Sequence, residues 1–540
     1  MSGADMEADR AWSLRPPAGD EWDVVVIGGG ITGAAVLREA VRAGLSCLLL
    51  EQRDFAWGAS SRSGKWVHGG LRYMKQGQIN VTWHSTRERE KLSAELKGLV
   101  EMQPLHWPLF RGRLGEELMM RSALFVYDAM AGRRRRRTVS RQAMAEAFPH
   151  LHAPGMKGAI CFEEGQADDA RLTLRLIQEA RRQGGVALNY APVTGLVKAG
   201  GLVRGVEVAL SGADRPTAVG ARQVIAATGA WSDLLRAQVR HDGAQRLRPL
   251  RGSHLVFDRV RLPIGGAIVL QHPRDRRPGF AAPFEGRVIV GNTDLDHRQD
   301  MRQDASITAW EVDYLLETVR HHFPALDIGR ADVIATFSGV RPVVDSGASD
   351  PSRESRDHVV WNEDELITIG GGKLTTFRHI ARDALDRARA KFPHMAAFRG
   401  GQPVLGDAPP DMPAPEGLDA RRWARLVGRY GTNAERMVRE AGPKDLAVIP
   451  GTETLWLELG WCAGNEDVRH LDDLLLRRTR IGLLLEGGGR TWISRIRALA
   501  QPALGWSDTQ WEEEQARYFS LWDRHYGLPP ADAPAGEAAG

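Results

Sequence analysis

The stretch from Asp23 to Glu51 limits what this chain can fold into more than any other. Asp23-Val24-Val25-Val26-Ile27 is an apolar, β-branched run, the pattern of a strand buried on both faces of a parallel sheet. Gly28-Gly29-Gly30-Ile31-Thr32-Gly33 follows at once, then a helical pattern from Thr32 to about Ala43. A second apolar run, Cys47 to Leu50, ends on Glu51. Strand, glycine turn, helix, strand and terminal acid stand in the order of a dinucleotide-binding βαβ unit. Gly28 takes the tight turn, Gly30 lets backbone approach a pyrophosphate, and Gly33 lets the helix close on the strands. Thr32 lies in the first helical turn, where free N–H groups and the helix dipole favour an anion. Glu51, about 20 residues beyond the glycines, is placed to accept from a ribose diol.

A chain of 540 residues is too long for one core and predicts two or three domains. Hydrophobic residues at 43% and charged residues at 26% are the balance of a soluble globular protein, and no apolar run approaches the ~20 residues of a membrane span. Residues 1–20 and 527–540 read as disordered tails, the first without a signal-peptide core. Three scattered cysteines make a disulfide framework or a thiolate metal site a poor fit, and point to a reducing cytoplasm. Cys47 reads as a small core residue. The net charge of +4 makes no case for nucleic acid. Arg133 to Arg137, five arginines in a row, follow the apolar stretch Leu118 to Tyr127. This pair of features reads either as a solvated loop after a core helix or as a contact with an anionic membrane surface.

Further along, Ala59 to Tyr73 is rich in glycine and hydroxyl residues and then gathers His68, Arg72 and Tyr73, a loop suited to a cofactor on one side and a substrate on the other. Residues 81–149 read as helical and insertion-like. A helix is expected from Asp168 or Asp169, as N-cap, to about Arg182. Arg222 to Ala227 is another sheet strand, closing on Thr228-Gly229 toward the cofactor crevice. Residues 247–344 carry short alternating runs of a mixed or antiparallel sheet. Glu365 to Ile369 repeats the strand, glycine-turn, helix logic through Gly370-Gly371-Gly372-Lys373 and Thr375; the spacing of an ATP-binding loop is absent. A proline-rich linker spans 407–415, and candidate helices follow over Asp419 to Tyr430, Asn433 to Glu440 and Leu471 to Leu485.

Several motifs, in order, resemble the FAD-dependent glycerol-3-phosphate dehydrogenases across nearly the whole chain. They are DVVVIGGGITG, His68 to Tyr73 (HGGLRY), Asp168 to Leu172 (DDARL) and ATGAWSD; then Gly252 to His254 (GSH), Gly291 to Asp294 (GNTD), Ser338 to Pro342 (SGVRP) and Gly371 to Arg378 (GGKLTTFR); and finally Arg429 to Asn433 (RYGTN) and Asp472 to Gly482 (DDLLLRRTRIG). The resemblance implies an α/β fold with three parts: a Rossmann-like FAD-binding domain over 21–80, 155–240 and 355–400, a mixed-sheet substrate domain over 81–154 and 241–354, and a helical C-terminal cap over 416–526. It implies oxidation of sn-glycerol 3-phosphate to dihydroxyacetone phosphate by hydride transfer to flavin, with electrons passed to a quinone, or to oxygen as in the oxidase relatives, at the inner face of the cytoplasmic membrane. Arg341 and Arg356, with Tyr73, would hold the phosphate, whose oxygens suit planar guanidinium forks. His254 would take the hydroxyl proton or bind substrate, and Arg72 and Lys373 would stabilise developing negative charge. Ser60, Ser61, His68, Gly69, Thr228, Gly229, Gly372 and Thr375 join the fingerprint residues as flavin contacts.

The chain also departs from the family pattern. Ser63-Gly64-Lys65-Trp66 stands where relatives carry two small residues, the basic residue and an aliphatic, and Asn292 replaces a threonine. The departures bear on pocket shape more than on the flavin. They leave two alternatives open, a flavin enzyme for another small hydroxy or amino acid and a flavin-binding protein without turnover. Whether the chain forms a homo-oligomer is equally open.

Overall fold

The computed structural model describes residues 13–74, 79–239, 245–345, 347, 354, 357–399, 401–406 and 413–531. The chain divides into two compact units, each woven from three segments. One is Met1–Ser61, Asp168–Leu250 and Val340–Asp407; the other is Arg62–Ala167, Arg251–Gly339 and Ala408–Gly540.

In the first unit, eight strands among the described residues form one sheet. Its spine runs His358–Glu363, Leu366–Gly371, Thr217–Ala226, Trp22–Ile27, Cys47–Leu50, Val186–Leu188. All neighbours on this path are parallel except the antiparallel pair at the His358–Glu363 edge. Val24, Val25 and Val26 are fully buried, as strands covered on both faces must be. The helix Ile31–Arg42 starts on Gly30, and the helix Asp169–Arg182 is capped by the Asp168 carboxylate, which accepts from the Arg171 amide. Cys47 is a buried core residue. The expected tail over 1–20 is corrected at its inner end, where Leu14 is buried and its carbonyl accepts a hydrogen bond from the Trp22 indole at 2.9 Å; residues 1–12 lie outside the described residues.

In the second unit, ten strands among the described residues make a mixed sheet whose two faces bury different helices. Along Arg251–Asp258 and Arg287–Gly291 the side chains alternate. Leu255, Phe257, Val288 and Val290 face the helix Ala309–His322 through Val312, Leu315 and Val319. Val256 and Ile289 face the C-terminal helices through a core containing Leu426, Trp456, Trp511 and Trp522. The region expected as a separate cap from 416 onward therefore shares one core with the sheet.

Three local readings are corrected. Residues 81–149 contain not only helices but the strands Val100–Phe110 and Arg137–Ser140, both paired with Met156–Ala167. Prolines at 104 and 108 and polar insertions mask the alternation there. Leu471 to Leu485 is not one helix: a π-helical turn, Asp473–Arg478, gives way at Arg480, which has φ +66°, to the short helix Ile481–Leu484. The expected tail at 527–540 begins packed, since the Gly527 carbonyl accepts from Thr336 and the Pro529 carbonyl from Arg330.

Candidate functional site

Parallel neighbours in the first unit bring three turns to one sheet edge. Trp22–Ile27, Thr217–Ala226 and Leu366–Gly371 run side by side in the same direction, so Gly28, Thr228-Gly229 and Gly371-Gly372-Lys373 all follow carboxyl ends, where open α/β sheets bind ligands. Backbone contact enforces glycine here. A Cβ on Gly28 (φ +110°) would lie 2.6 Å from the Ala227 carbonyl oxygen, and one on Gly33 would lie 1.9 Å from the Gly28 carbonyl oxygen. A Cβ on Gly30 would meet the Ser60 hydroxyl at 3.1 Å, and that hydroxyl accepts from the Ile31 amide at 2.9 Å. Ser60 and Ser61 thus cross the start of the helix that carries Thr32 and Gly33, with Ser61 buried. The Glu51 carboxylate accepts from the Gly29 amide at 2.6 Å and the Arg53 amide at 2.9 Å. Burial raises its pKa, and those amides oppose the rise. A glycine-rich turn, a helix start whose N-cap residue is a glycine without a capping side chain, and an acid at the neighbouring strand end fit the pyrophosphate and ribose of a dinucleotide.

On the same edge, Ser232 accepts from Thr228 at 3.1 Å and donates to the Ile369 carbonyl at 3.3 Å, tying two of the turns together. Gly371 and Gly372 take positive φ (+72° and +92°) before Lys373. Thr375 is buried in the one-turn helix that follows. Burial lowers the Lys373 pKa to about 8, with the Asp357 carboxylate acting in the opposite direction. Asp357 also accepts the Gly372 amide on its carbonyl at 3.3 Å, and His358 beside it bonds Asp383 at 3.1 Å. Arg341 lies half-buried on the strand Val333–Val344. Arg356 falls outside the described residues.

His68, Gly69 and His254 belong to the second unit. The strand Trp66–Val67 pairs with Gln166 and Gly165, delivering His68 and a buried Gly69 at its end. The helix Leu71–Met74 holds Arg72 and Tyr73, whose side chains lie outside the described residues. His254 is buried in a close cage. It stacks on Phe337 with centroids 4.5 Å apart and planes at 7°; it leaves Gly291 no side chain and lies close against Gly64. A Cβ on Gly291 would lie 2.1 Å from the His254 ring, and one on Gly64 would lie 3.3 Å from its Nε2. Gly64-Lys65-Trp66, the departure noted in the sequence, thus flanks the candidate base. Trp66 packs edge-on against Phe280 at 5.5 Å.

One residue that sequence reasoning missed organises the neighbouring motifs. Glu311 accepts from Ser253 at 2.8 Å and Thr293 at 2.6 Å and pairs with Arg251 at 3.0 Å. Ser253 also shares a hydrogen bond with Ser338. GSH and NTD meet on this one buried carboxylate, and the start of SGVRP joins them through Ser253. The signal was present: Thr308-x-x-Glu311 is a capping box.

Comparison with known proteins follows this geometry. A family model described as FAD dependent oxidoreductase matches residues 23–381, and one described as the C-terminal domain of alpha-glycerophosphate oxidase matches residues 366–511. The chain is 32% identical over 487 residues to the aerobic glycerol-3-phosphate dehydrogenase of Staphylococcus haemolyticus, covering 85% of this chain and 87% of that protein. The Staphylococcus aureus enzyme of the same name is 30% identical over 484 residues, with the same coverage. Among solved structures, glycerol-3-phosphate dehydrogenase from Bacillus halodurans complexed with FAD superposes with a TM-score of 0.74 at 24% identity, covering 96% of this chain and 97% of that one. L-alpha-glycerophosphate oxidase from Mycoplasma pneumoniae with FAD bound gives 0.53 at 18% identity, covering 68% and 94%.

Proposed function

The chain belongs to the FAD-dependent glycerol-3-phosphate dehydrogenase family, and from that premise we propose that it oxidises sn-glycerol 3-phosphate to dihydroxyacetone phosphate. Bound flavin supplies a hydride acceptor for the hydrogen on C2. The protein's own residues do the rest. His254 takes the C2 hydroxyl proton as the carbonyl forms. Arg341 holds the phosphate dianion, with Arg356 and Tyr73 as further donors. Arg72 and Lys373 stabilise the negative charge that builds up during transfer. Gly28, Gly30, Thr32, Gly33 and Glu51, with Ser60, Ser61, His68, Gly69, Thr228, Gly229, Gly372 and Thr375, hold the cofactor.

The observation that carries this reading is the cage around His254: two glycines and a parallel phenyl ring fix an imidazole beside the Gly64-Lys65-Trp66 turn. The test is anaerobic mixing of purified protein with sn-glycerol 3-phosphate while following the visible absorbance of oxidised flavin. Rapid bleaching is expected. A flavin spectrum that the substrate leaves unchanged overturns the substrate assignment.

For the electron acceptor we propose a quinone, reached from the membrane surface. Among the described residues no helix is long and apolar enough to cross a membrane. The helix Leu114–Ala131 instead buries Met120, Leu124 and Tyr127 and presents Leu118 at 65% exposure and Phe125 at 63%. Arg133 and Arg134 follow it, exposed. Arg135 and Arg136 are not part of a free run: Arg135 pairs with Glu90 and Glu163, and Arg136 with Asp128. An apolar stripe beside exposed cations suits anionic headgroups.

A further inference from the structure

A buried cluster of charged and phenolic groups lies under the His68–Tyr73 loop and has no role in the chemistry described above. Glu164, on the strand Met156–Ala167, is 3% exposed; Arg89 and Tyr127, from two different helices, are 1% and 2% exposed. Three donors converge on the Glu164 carboxylate. The Tyr127 hydroxyl reaches one oxygen at 2.5 Å; Arg89 Nη1 and the Gly69 amide each reach the other at 3.1 Å. Arg89 Nη1 also donates to the Tyr127 hydroxyl at 2.8 Å. The other side of the loop is held too, since Thr86 donates to the Gly69 carbonyl and Thr82 to the Gly70 carbonyl, both at 3.2 Å. Gly69 has no alternative here: a Cβ would sit 2.2 Å from the Tyr127 hydroxyl and 2.8 Å from Thr86 Oγ1.

Stability is a poor reason for such a cluster. Burying a carboxylate and a guanidinium is costly, and replacing buried ion pairs by apolar groups of similar volume is often neutral or stabilising. The cluster does supply direction: a charged acceptor fixes one backbone N–H more sharply than packing can. Burial, and then the neighbouring Glu164 charge, push the Tyr127 phenol well above its usual range, so it remains a donor throughout the working pH range.

We propose that Glu164, Tyr127 and Arg89 form a positioning set that fixes the Gly69 peptide and so sets the placement of His68 and of the backbone leading into the helix Leu71–Met74 for hydride transfer. This inference rests on the proposed reading of that loop as a wall of the flavin and substrate site.

The test uses the full-length holoprotein and two variants. Tyr127→Phe keeps the ring and removes one donor; Glu164→Gln keeps the shape and removes the charge. Flavin content, thermal midpoint, visible circular dichroism of the bound flavin, and kcat and KM for sn-glycerol 3-phosphate are measured on each. The expected result is a fall in kcat of about 10-fold or more for Glu164→Gln, worth roughly 1.4 kcal/mol of barrier. A smaller fall is expected for Tyr127→Phe, with KM nearly unchanged and a changed flavin dichroism in both. Full flavin occupancy with kcat within about twofold of the parent in both variants and unchanged dichroism overturns the proposal. If Glu164→Gln fails to fold, Tyr127→Phe decides by the same criteria. If substrate does not bleach the unsubstituted protein, the functional reading fails on its own, and the dichroism of the variants still decides whether the set positions the loop.

Discussion

Replacing Gly33 by alanine sets two effects of opposite sign against each other. Gly33 lies inside the helix Ile31–Arg42 without positive φ, so propensity alone favours alanine by about 1 kcal/mol. Against this, the new Cβ would lie 1.9 Å from the Gly28 carbonyl oxygen, where even weak C–H···O contacts stop at about 3.3 Å. Both sides of that contact are backbone, so no rotamer relieves it; helix and turn must separate by more than an ångström. Overpacking of this kind costs about 1–3 kcal/mol, and a backbone clash belongs at or beyond the upper end. The net expectation is a loss of about 2 kcal/mol or more. For a unit on the order of 200 residues that lowers Tm by roughly 4–8 °C. The displaced atom belongs to the cofactor turn, so flavin should be lost as well. Gly44→Ala is the control. Its φ of +86° strains alanine by roughly 1–2 kcal/mol, but nothing lies within 4 Å of the added carbon, so flavin should be retained. Differential scanning calorimetry and the flavin-to-protein absorbance ratio read both effects. A Gly33→Ala protein that keeps full flavin and melts no lower than the parent refutes the argument.

Gly64→Ala places a carbon 3.2 Å from Phe280 and 3.3 Å from His254 Nε2, so stopped-flow flavin reduction should slow by about 10-fold with flavin retained; an unchanged rate would separate Gly64 from the site. Lys373, with its pKa lowered to about 8, should lose its charge as pH rises through that value, so the reduction rate should fall there, and Lys373→Arg should move that fall to higher pH. Stability should move the other way, because between about 8 and the ordinary 10.5 the unfolded chain binds the proton that the folded chain does not, so the thermal midpoint should rise with pH across that window. Arg341→Ala removes up to two charge-assisted hydrogen bonds of roughly 1.5–3 kcal/mol each and should lower kcat/KM by about 100-fold or more with flavin intact. Replacing Leu118 and Phe125 by serine should release the protein from anionic liposomes in flotation, whereas Arg135→Ser should act first on thermal stability because its guanidinium already serves Glu90 and Glu163.

What was legible in the sequence divides along a physical line. The βαβ unit was readable because its pattern is local: the apolar run, the glycines and Glu51 lie within one stretch of chain, although the groups that crowd Gly28 and Gly30 are the Ala227 carbonyl and the Ser60 hydroxyl, outside it. The helix start at Asp168 or Asp169 was readable for the same reason, and the structure places the cap on Asp168. The strand Val100–Phe110 was not. Its partner Met156–Ala167 lies some fifty residues on, and pairing register rather than composition makes it a strand. His254 could be named from its motif, but the cage that fixes it comes from Gly64, Gly291, Phe280 and Phe337, which no local pattern links.

The same line explains why the two buried glutamates escaped notice. A carboxylate reads as surface in a sequence because an isolated one costs too much to bury. Glu311 and Glu164 are affordable only because distant segments bring donors to them: Ser253, Thr293 and Arg251 to one, Gly69, Arg89 and Tyr127 to the other. Each joins elements that come from separate stretches of chain and that carry candidate site groups, the candidate base His254 in the first case and the candidate flavin contact His68 in the second. Such acids are invisible one residue at a time, since their function consists in the convergence itself. Motifs that the sequence shows as separate words, GSH with NTD and SGVRP, become one site only where a buried charge gathers them.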